Sequence, residues 1–370
     1  MKPRIVLAHD WLVAPRGGEQ VLARLAEVLQ PDSVVTLVDS GLSLDAGLDK
    51  LPRTTSWLQY LPGASGRLRR FLTPLMPLAA RSTAVPDCDL LVSSSSAFVA
   101  GLRAPKEAKH VCYCHAPIRW AREGRTAYRS GPGGLLRGLM LDVAAPWFRW
   151  FDRRAGQQPD LILANSRHTA KRIQTAWGRD ATVVYPPVRT HFFTPDPSPR
   201  EDFLLWVGAI EPAKRLDRVM ALAERQRRRL VVVGEGSQSA RLQRLAGEHT
   251  TFLGRVADER LRQLYRTAAA FVQLHEEDFG LTVVEALACG CPVMVHCTGG
   301  HAEIVTNTVG VQVDAENDAA TDDGFARLLK ESWEPAQAVN RAREFSPSVF
   351  DEEIKAALRQ LGFSFSLTLP

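Results

Sequence analysis

The densest set of groups suited to a charged, hydroxyl-rich ligand is the run HEEDFGLTVVEALACG, His275 to Gly290. Glu277 falls in a loop just after an apolar strand. Glu285 lies two turns into a helix that opens near Gly280 and Leu281. The start of a helix offers free backbone N–H groups and the positive end of the helix dipole, and a glycine at its mouth lets an anion come close. Carboxylates on either side can accept hydrogen bonds from sugar or ribose hydroxyls. The same spacing also fits a solvated loop acid and a surface helix acid, because carboxylates in clefts point to function only statistically.

Three further places carry usable chemistry. Lys214 follows Pro212 beyond the strand Phe203–Val207, where a lysine acts as a point charge on phosphate or as an ordinary exposed lysine at a helix start. His115, in CYCHAPIRW, ends another apolar strand and is placed as an acid, a base, a hydroxyl anchor or a core histidine satisfied by backbone. Gly17 and Gly18 form a loop before a helix. That pair is weak evidence for phosphate binding, and no G-K-[ST] follows to make a P-loop. Asp87 and Asp89 form a D-x-D pair able to hold a divalent cation. They precede their strand, however, and so sit at the amino edge, away from the expected site. No metal and no cofactor is expected. A G-x-S-x-G elbow is also missing from the sequence, which argues against an α/β-hydrolase.

The elements that must position these groups alternate between strand and helix. Apolar runs at Arg4–Ala8, Val34–Val38, Leu90–Ser93, His110–Tyr113, Leu161–Ala164 and Thr182–Tyr185 read as buried strands, with helical periodicity at Glu19–Leu29. Prolines 186, 187, 195, 197 and 199 then interrupt both helix and central strand. The alternation restarts at Phe203–Val207 and continues through helix Leu216–Arg228, strand Leu230–Val233, helices Ala240–Ala246 and Asp258–Thr267, and helix Leu281–Ala288. Such alternation implies parallel sheets with helices on both faces. The expected fold is therefore α/β, with two Rossmann-like doubly wound lobes facing across a cleft. A first lobe is expected over residues 1–192, a linker over 193–200, and a second lobe over 201–345. A C-terminal helix over 346–370 is expected to pack back toward the first lobe. Ligands of open α/β sheets bind outside the carboxyl ends of the strands.

Composition agrees with a two-domain globular chain. The 370 residues suit about two domains at roughly 150 residues each, and 45% of them are hydrophobic. The net charge of +5 is unevenly spread, with arginines crowded at 67–70, 149–154 and 225–229. Such runs attract phosphate or anionic lipid, or simply form solvated helix faces. None of the six cysteines has zinc-finger spacing, and several lie in apolar runs, which suits a reducing cytoplasm. The apolar run at the N-terminus is too short for a signal peptide, and no run of 18 apolar residues would span a bilayer.

Taken together, the motifs resemble the family 4 retaining glycosyltransferases, which have the GT-B architecture. The resemblance runs nearly the whole length. EDFGLTVVE matches the family's E-x7-E motif, with support from GGEQVL at Gly17, CHAPIRW at Cys114, ANSRHTAKRI at Ala164, EPAKRLD at Glu211, VVVGEG at Val231 and GGHAEIV at Gly299. It implies that Glu277 binds donor-sugar hydroxyls, Glu285 the ribose, and the backbone of Phe279, Gly280 and Leu281 the diphosphate or sugar. Lys214, with Arg215 beside it, neutralises the leaving diphosphate, and Val256 lies by the base. Gly17 and Gly18 admit the phosphates, and His115 touches the transferred sugar or the acceptor. His115, Lys214 and Glu277 are the catalytic candidates. One departure stands out: where the family usually carries an arginine after the first strand of the second lobe, this chain has Ala209. Losing a preorganised charge opposite developing charge costs a few kcal/mol of barrier, so either Arg215 or Arg255 compensates, or the enzyme is slow, or its acceptor phosphate site differs.

The motif variants look most like mannosyltransferases using GDP-mannose in lipopolysaccharide or exopolysaccharide assembly. Expected partners are a nucleotide-sugar donor and a glycan or polyprenyl-linked acceptor, with peripheral attachment to the inner membrane face and no nucleic acid. The segments Gly66–Arg81 and Leu135–Arg154 interleave aromatic and aliphatic residues with arginine, which suits either interfacial helices or helices that line the acceptor side of the cleft with ordinary core faces. The rival readings are a UDP- or dTDP-hexose donor, or a nucleotide-sugar-binding scaffold that has lost catalysis.

Overall fold

The computed structural model describes residues 2–44, 47–122 and 134–364. It divides into two compact units, Met1–Pro187 with Phe350–Pro370, and Val188–Val349.

The first unit is built on a sheet of β1 (Ile5–Leu12), β2 (Ser33–Asp39), β3 (Arg53–Thr55), β4 (Leu90–Ser95), β5 (Lys109–Cys114), β6 (Leu161–Ala164) and β7 (Thr182–Val183). The order is β3-β2-β1-β4-β5-β6-β7, and every pair is parallel. Both faces of a parallel sheet are covered by helices, so its strands are apolar on both sides. In β1, Ile5 and Leu7 join Val21, Leu22 and Leu25 of the helix Gly17–Leu29, together with Phe350 and Ile354 of the helix Pro347–Arg359. Val6 and Ala8 face the opposite way, into a core with Phe98, Phe148 and Phe151. Each such side chain, fully buried, contributes about 1.5–3 kcal/mol.

The second unit repeats the plan with β8 (Phe203–Val207), β9 (Arg229–Val233), β10 (Thr250–Gly254), β11 (Ala270–Gln273), β12 (Val293–His296) and β13 (Gly310–Val313). The order is β10-β9-β8-β11-β12-β13, again wholly parallel. Leu204 and Trp206 pack with Leu216 and Val219 of the helix Leu216–Arg225 and with Phe325 of the helix Asp318–Lys330.

Several expectations need correction. β1 does not stop at Ala8 but runs on to Leu12, which makes His9 and Asp10 strand residues. Gly17 and Gly18 are not a loop; they are the first turn of the helix Gly17–Leu29. The edge strands β3 and β13 have no long apolar run to announce them. The proline-rich stretch is fastened to the second unit. Phe193 is buried against Tyr265, with ring centroids 5.8 Å apart, and the Arg266 Nε–H donates to the Thr194 carbonyl at 2.7 Å. The arginines at 225–228 form surface ion pairs, Arg225 with Asp318 and Asp322 and Arg228 with Asp202. Asp89 is engaged by the backbone N–H of Arg4 at 2.7 Å. All six cysteines are free, and five are buried. Burial pushes the Cys112 and Cys289 thiols up to about 12.

One side chain locks the working edge of the first sheet. The buried carboxylate of Asp10 accepts four backbone N–H groups, from Ser96 (2.6 Å), Ala97 (3.0 Å), Phe98 (2.7 Å) and Val99 (3.0 Å). It thereby pins the turn after β4 to the end of β1. Each buried donor left unsatisfied costs about 1–3 kcal/mol. Asp10→Ala is therefore expected to lower the unfolding free energy by at least ~3 kcal/mol, read by urea denaturation. Asp10→Asn, which keeps one acceptor oxygen, is expected to lose less.

Candidate functional site

In both units the strand order reverses at the first strand, between β1 and β4 and between β8 and β11. The two connections leave in opposite directions there and open a crevice at the carboxyl ends of the strands. The candidate polar residues collect at these two places.

In the second unit, Lys214 closes the short 3-10 turn Pro212–Lys214 after β8, and Glu277 lies in the loop after β11. The structure brings the two together: the Lys214 ammonium donates to Glu277 Oε2. His275 Nε2 lies 3.1 Å from the same oxygen. Burial opposes the charge on Glu277, but the Lys214 ammonium and His275 outweigh it and hold the carboxyl well below the usual carboxylate range. The loop itself is clamped from the next strand connection. The Gly300 N–H donates to the Glu277 carbonyl at 2.7 Å. A Cβ on Gly300 would stand 2.1 Å from the Asp278 carbonyl oxygen, so only glycine fits. His301, wholly buried, has Nε2 2.6 Å from the His275 carbonyl oxygen.

Gly280 has φ +111° and begins the helix Leu281–Ala288; a Cβ there would meet the Cβ of His301 at 2.8 Å. The backbone of Phe279, Gly280 and Leu281 thus turns into the helix beside Glu277. The Phe279 side chain is buried against Phe345, with centroids 5.5 Å apart.

Glu285 is half-buried and hydrogen-bonded, not free in solvent. The hydroxyl of buried Tyr265 donates to Glu285 Oε2 at 3.0 Å. Burial raises its carboxyl to about 7, although that hydrogen bond and Arg189 pull the other way. Arg215, in the left-handed region at φ 42°, is bonded to Asp217. Arg255 is exposed, and Val256 is half-buried in the loop after β10. Among the described residues, neither arginine is bonded to Lys214 or Glu277.

In the first unit, His115 follows β5. Its Nε2 lies 2.8 Å from Ser94 Oγ at the end of β4, and its backbone carbonyl accepts from Asn165 Nδ2 at 3.0 Å. Gly18 packs against both His115 and His9. Burial, with the neighbouring His9 adding to it, pushes the His115 imidazole down to about 3, so the ring is neutral at ordinary pH. Sequence reasoning assigned no role to His9, Glu19, His275 and His301; Ser94 belongs to the run Ser93–Ser96, which reads as a polar loop able to line the cleft but whose first three residues end β4. The only signal for His9 was its place directly after the apolar run Arg4–Ala8, in a strand read as too short.

Two family models match the chain, "Glycosyltransferase Family 4" over residues 15–192 and "Glycosyl transferases group 1" over residues 188–345. A GDP-mannose-dependent alpha-(1-6)-phosphatidylinositol monomannoside mannosyltransferase of Mycobacterium tuberculosis is 30% identical over 209 residues, 48% of this chain and 54% of that protein. A D-inositol 3-phosphate glycosyltransferase of Mycobacteroides abscessus is 29% identical over 223 residues, covering 53% of this chain and 50% of its own length. The chain spans about half the length of the curated relatives it matches. Among solved structures, Anabaena HepE in complex with UDP and glucose superposes with a TM-score of 0.67 at 17% identity, covering 96% of this chain and 99% of its own. Sucrose-phosphate synthase from Thermosynechococcus elongatus superposes with a TM-score of 0.68 at 17% identity, covering 97% and 99%.

The half-buried Glu285 makes a pH-dependent prediction. Its folded-state value of about 7 lies above the ordinary 4.5. The stability that accompanies the protonated carboxyl is therefore complete below about pH 4.5 and is lost as pH rises through about 7. Relative to Glu285→Gln, the melting temperature of the unaltered protein is expected to fall across that window. A difference that stays constant with pH would overturn the assignment of a buried carboxyl.

Proposed function

The chain belongs to the family 4 glycosyltransferases, with the two parallel-sheet units of the GT-B architecture, and from that premise we propose that it transfers mannose from GDP-mannose to a glycan or lipid-linked acceptor with retention. The observation that carries this reading is the meeting of Lys214 and Glu277 beside the helix start at Gly280. A cation and a helix N-terminus suit a diphosphate. A carboxylate held ionised suits the hydroxyls of a sugar.

In the proposed reaction the donor's C1–O bond to the diphosphate breaks and a C1–O bond to the acceptor hydroxyl forms on the same face. The hydroxyl proton passes to the departing diphosphate oxygen. Lys214 exchanges Glu277 for the developing diphosphate charge, which frees the carboxylate for the sugar hydroxyls. Phe279, Gly280 and Leu281 contribute backbone N–H groups, Glu285 meets the ribose, and Val256 lies against the base. Gly17 and Gly18 allow close approach of the phosphates in the first unit, where His115 meets the sugar or the acceptor. Glu277 is not assigned as a covalent nucleophile, and the scheme uses no metal. Mannose and GDP rest on the relatives whose names specify them.

A lipid-linked acceptor is supported by the helix Gly134–Ala155, of which the side chains of residues 134–141 lie outside the described set. Trp147 and Trp150 stack with centroids 5.1 Å apart and are 37% and 43% exposed, with the Arg154 guanidinium 4.8 Å over the Trp150 ring. Exposed indoles beside arginines suit an anionic bilayer surface. Among the described residues, no helix is long and apolar enough to cross a membrane. We expect the protein to co-sediment with vesicles containing anionic lipid, and Trp147→Ala with Trp150→Ala to reduce the bound fraction severalfold. Equal binding to neutral vesicles, or binding insensitive to both substitutions, would count against attachment through this surface.

The donor assignment is tested by following nucleoside diphosphate release from a panel of GDP-, UDP- and dTDP-sugars in the presence of lipid extract. Release of GDP from GDP-mannose is expected, with turnover lowered ~10²–10³-fold by Lys214→Ala, the range for removing one preorganised donor at developing charge. Glu277→Ala is also expected to abolish most turnover. Release from a UDP- or dTDP-sugar would overturn the donor while keeping the reaction. Nucleotide binding with no release from any donor would favour a nucleotide-sugar-binding scaffold, to which the alanine at position 209 would then be the pointer.

A further inference from the structure

Behind His115 lies a line of polar side chains that the proposed chemistry does not use. His9 on β1 and Ser94 on β4 are direct partners in the parallel register. His9 Nδ1 stands 3.1 Å from Ser94 Oγ, and Ser94 Oγ stands 2.8 Å from His115 Nε2. On the far side of His9, Nε2 is 3.8 Å from Glu19 Oε1 in the helix Gly17–Leu29. Glu19, His9 and Ser94 are all at least 97% buried. The two imidazoles meet edge to face, with centroids 6.5 Å apart.

The order of protons along this line follows from elementary hydrogen bonding. A distance of 3.8 Å is too long for a hydrogen bond but well within Coulombic reach. A buried carboxylate therefore favours the His9 form with its proton on Nε2, facing Glu19. A ring with its single proton there has an acceptor at Nδ1. A serine hydroxyl has a single proton, so Ser94 must donate toward one imidazole and accept from the other. With that His9 tautomer, Ser94 donates to His9 Nδ1 and accepts from His115 Nε2–H. His115 is left with a lone pair on Nδ1.

We propose that Glu19, His9 and Ser94 are positioning residues that hold His115 in its Nε2–H tautomer, so that it meets its ligand as a hydrogen-bond acceptor for a sugar or acceptor hydroxyl. The proposal rests on the reading that His115 faces the transferred sugar or the acceptor. It gives a reason for three otherwise costly choices. A carboxylate, an imidazole and a hydroxyl are placed in the first unit's interior where apolar side chains would pack at less desolvation cost. The neutrality of His115 noted above agrees with a ring that accepts and does not carry charge.

The test reads the tautomer directly. Histidine-selective 15N labelling of the full chain, with two-bond proton–nitrogen spectra and His115→Ala to assign the signal, gives the protonation of each ring nitrogen. The expected result for the unaltered protein is a neutral His115 protonated on Nε2, with Nδ1 showing the shift of a bare acceptor. In Glu19→Gln and Ser94→Ala the ring is expected to relax toward a mixture of tautomers. Turnover of the nucleotide-sugar donor should then fall on the order of 10- to 100-fold, the range for partners that orient an active imidazole, with KM for the donor changed much less. Glu19→Asp, which keeps the carboxylate, is expected to retain most of the Nε2–H form and most of the turnover.

An Nδ1–H tautomer in the unaltered protein would overturn the proposal, whatever the variants do. So would unchanged tautomers in both Glu19→Gln and Ser94→Ala. Because the spectra need neither donor nor turnover, they judge the positioning claim even if no nucleotide sugar is consumed. Turnover accompanied by the opposite tautomer would sink this claim and leave the transferase reading standing.

Discussion

Parallel hydrogen bonding, with the strand order reversing at the first strand of each sheet, is the constraint on which the candidate sites depend. Parallel pairing sends every carboxyl end to one edge, and the reversal parts the connections at that edge. His9, Ser94 and His115 arrive there from β1, β4 and β5. Lys214 and Glu277 arrive in the other unit from the connections after β8 and β11. The same geometric accident of topology thus places polar groups where backbone and helices leave room for a ligand.

Holding polar groups at such an edge requires that their partners be built in. Asp10 does so by taking four N–H groups onto one carboxylate, which satisfies a turn that could otherwise not be buried. Glu277 is held by an ammonium and an imidazole from different chain segments, and its loop by two glycines whose lack of a Cβ lets backbone lie on backbone. An isolated buried carboxylate would protonate, as Glu285 tends to do. The contrast between Glu277 and Glu285, two carboxylates in one motif, is therefore set by neighbours. One has a cation beside it, while the other has a phenol hydroxyl whose own proton burial secures.

The two units solve the same problem with different chemistry. The second gathers charge: lysine against glutamate, next to a helix start. The first gathers two imidazoles and a hydroxyl, with a carboxylate behind them at Glu19. Charge suits stabilisation of a leaving diphosphate, whereas a neutral ring of fixed tautomer suits the recognition of a hydroxyl.

Much of the architecture was legible in the chain itself. Apolar runs such as FLLWV and LILA are buried on both faces and can be little else than central strands, and the spacing of Leu216 to Arg225 or Asp258 to Thr267 is helical whatever surrounds it. The E-x7-E motif, Lys214 and His115 were legible for the same reason: their positions relative to strand ends follow from local pattern. The edge strands β3 and β13 were not, because half-exposed or short strands carry no long apolar run. The partners of the site residues were hidden as well. Glu277 meets Lys214 across 63 positions of sequence, and His9 meets Ser94 across 85. Local propensity has no term for such separations. Tautomer, ionisation and hydrogen-bond partner are properties of a three-dimensional neighbourhood, so only the tertiary structure could decide them.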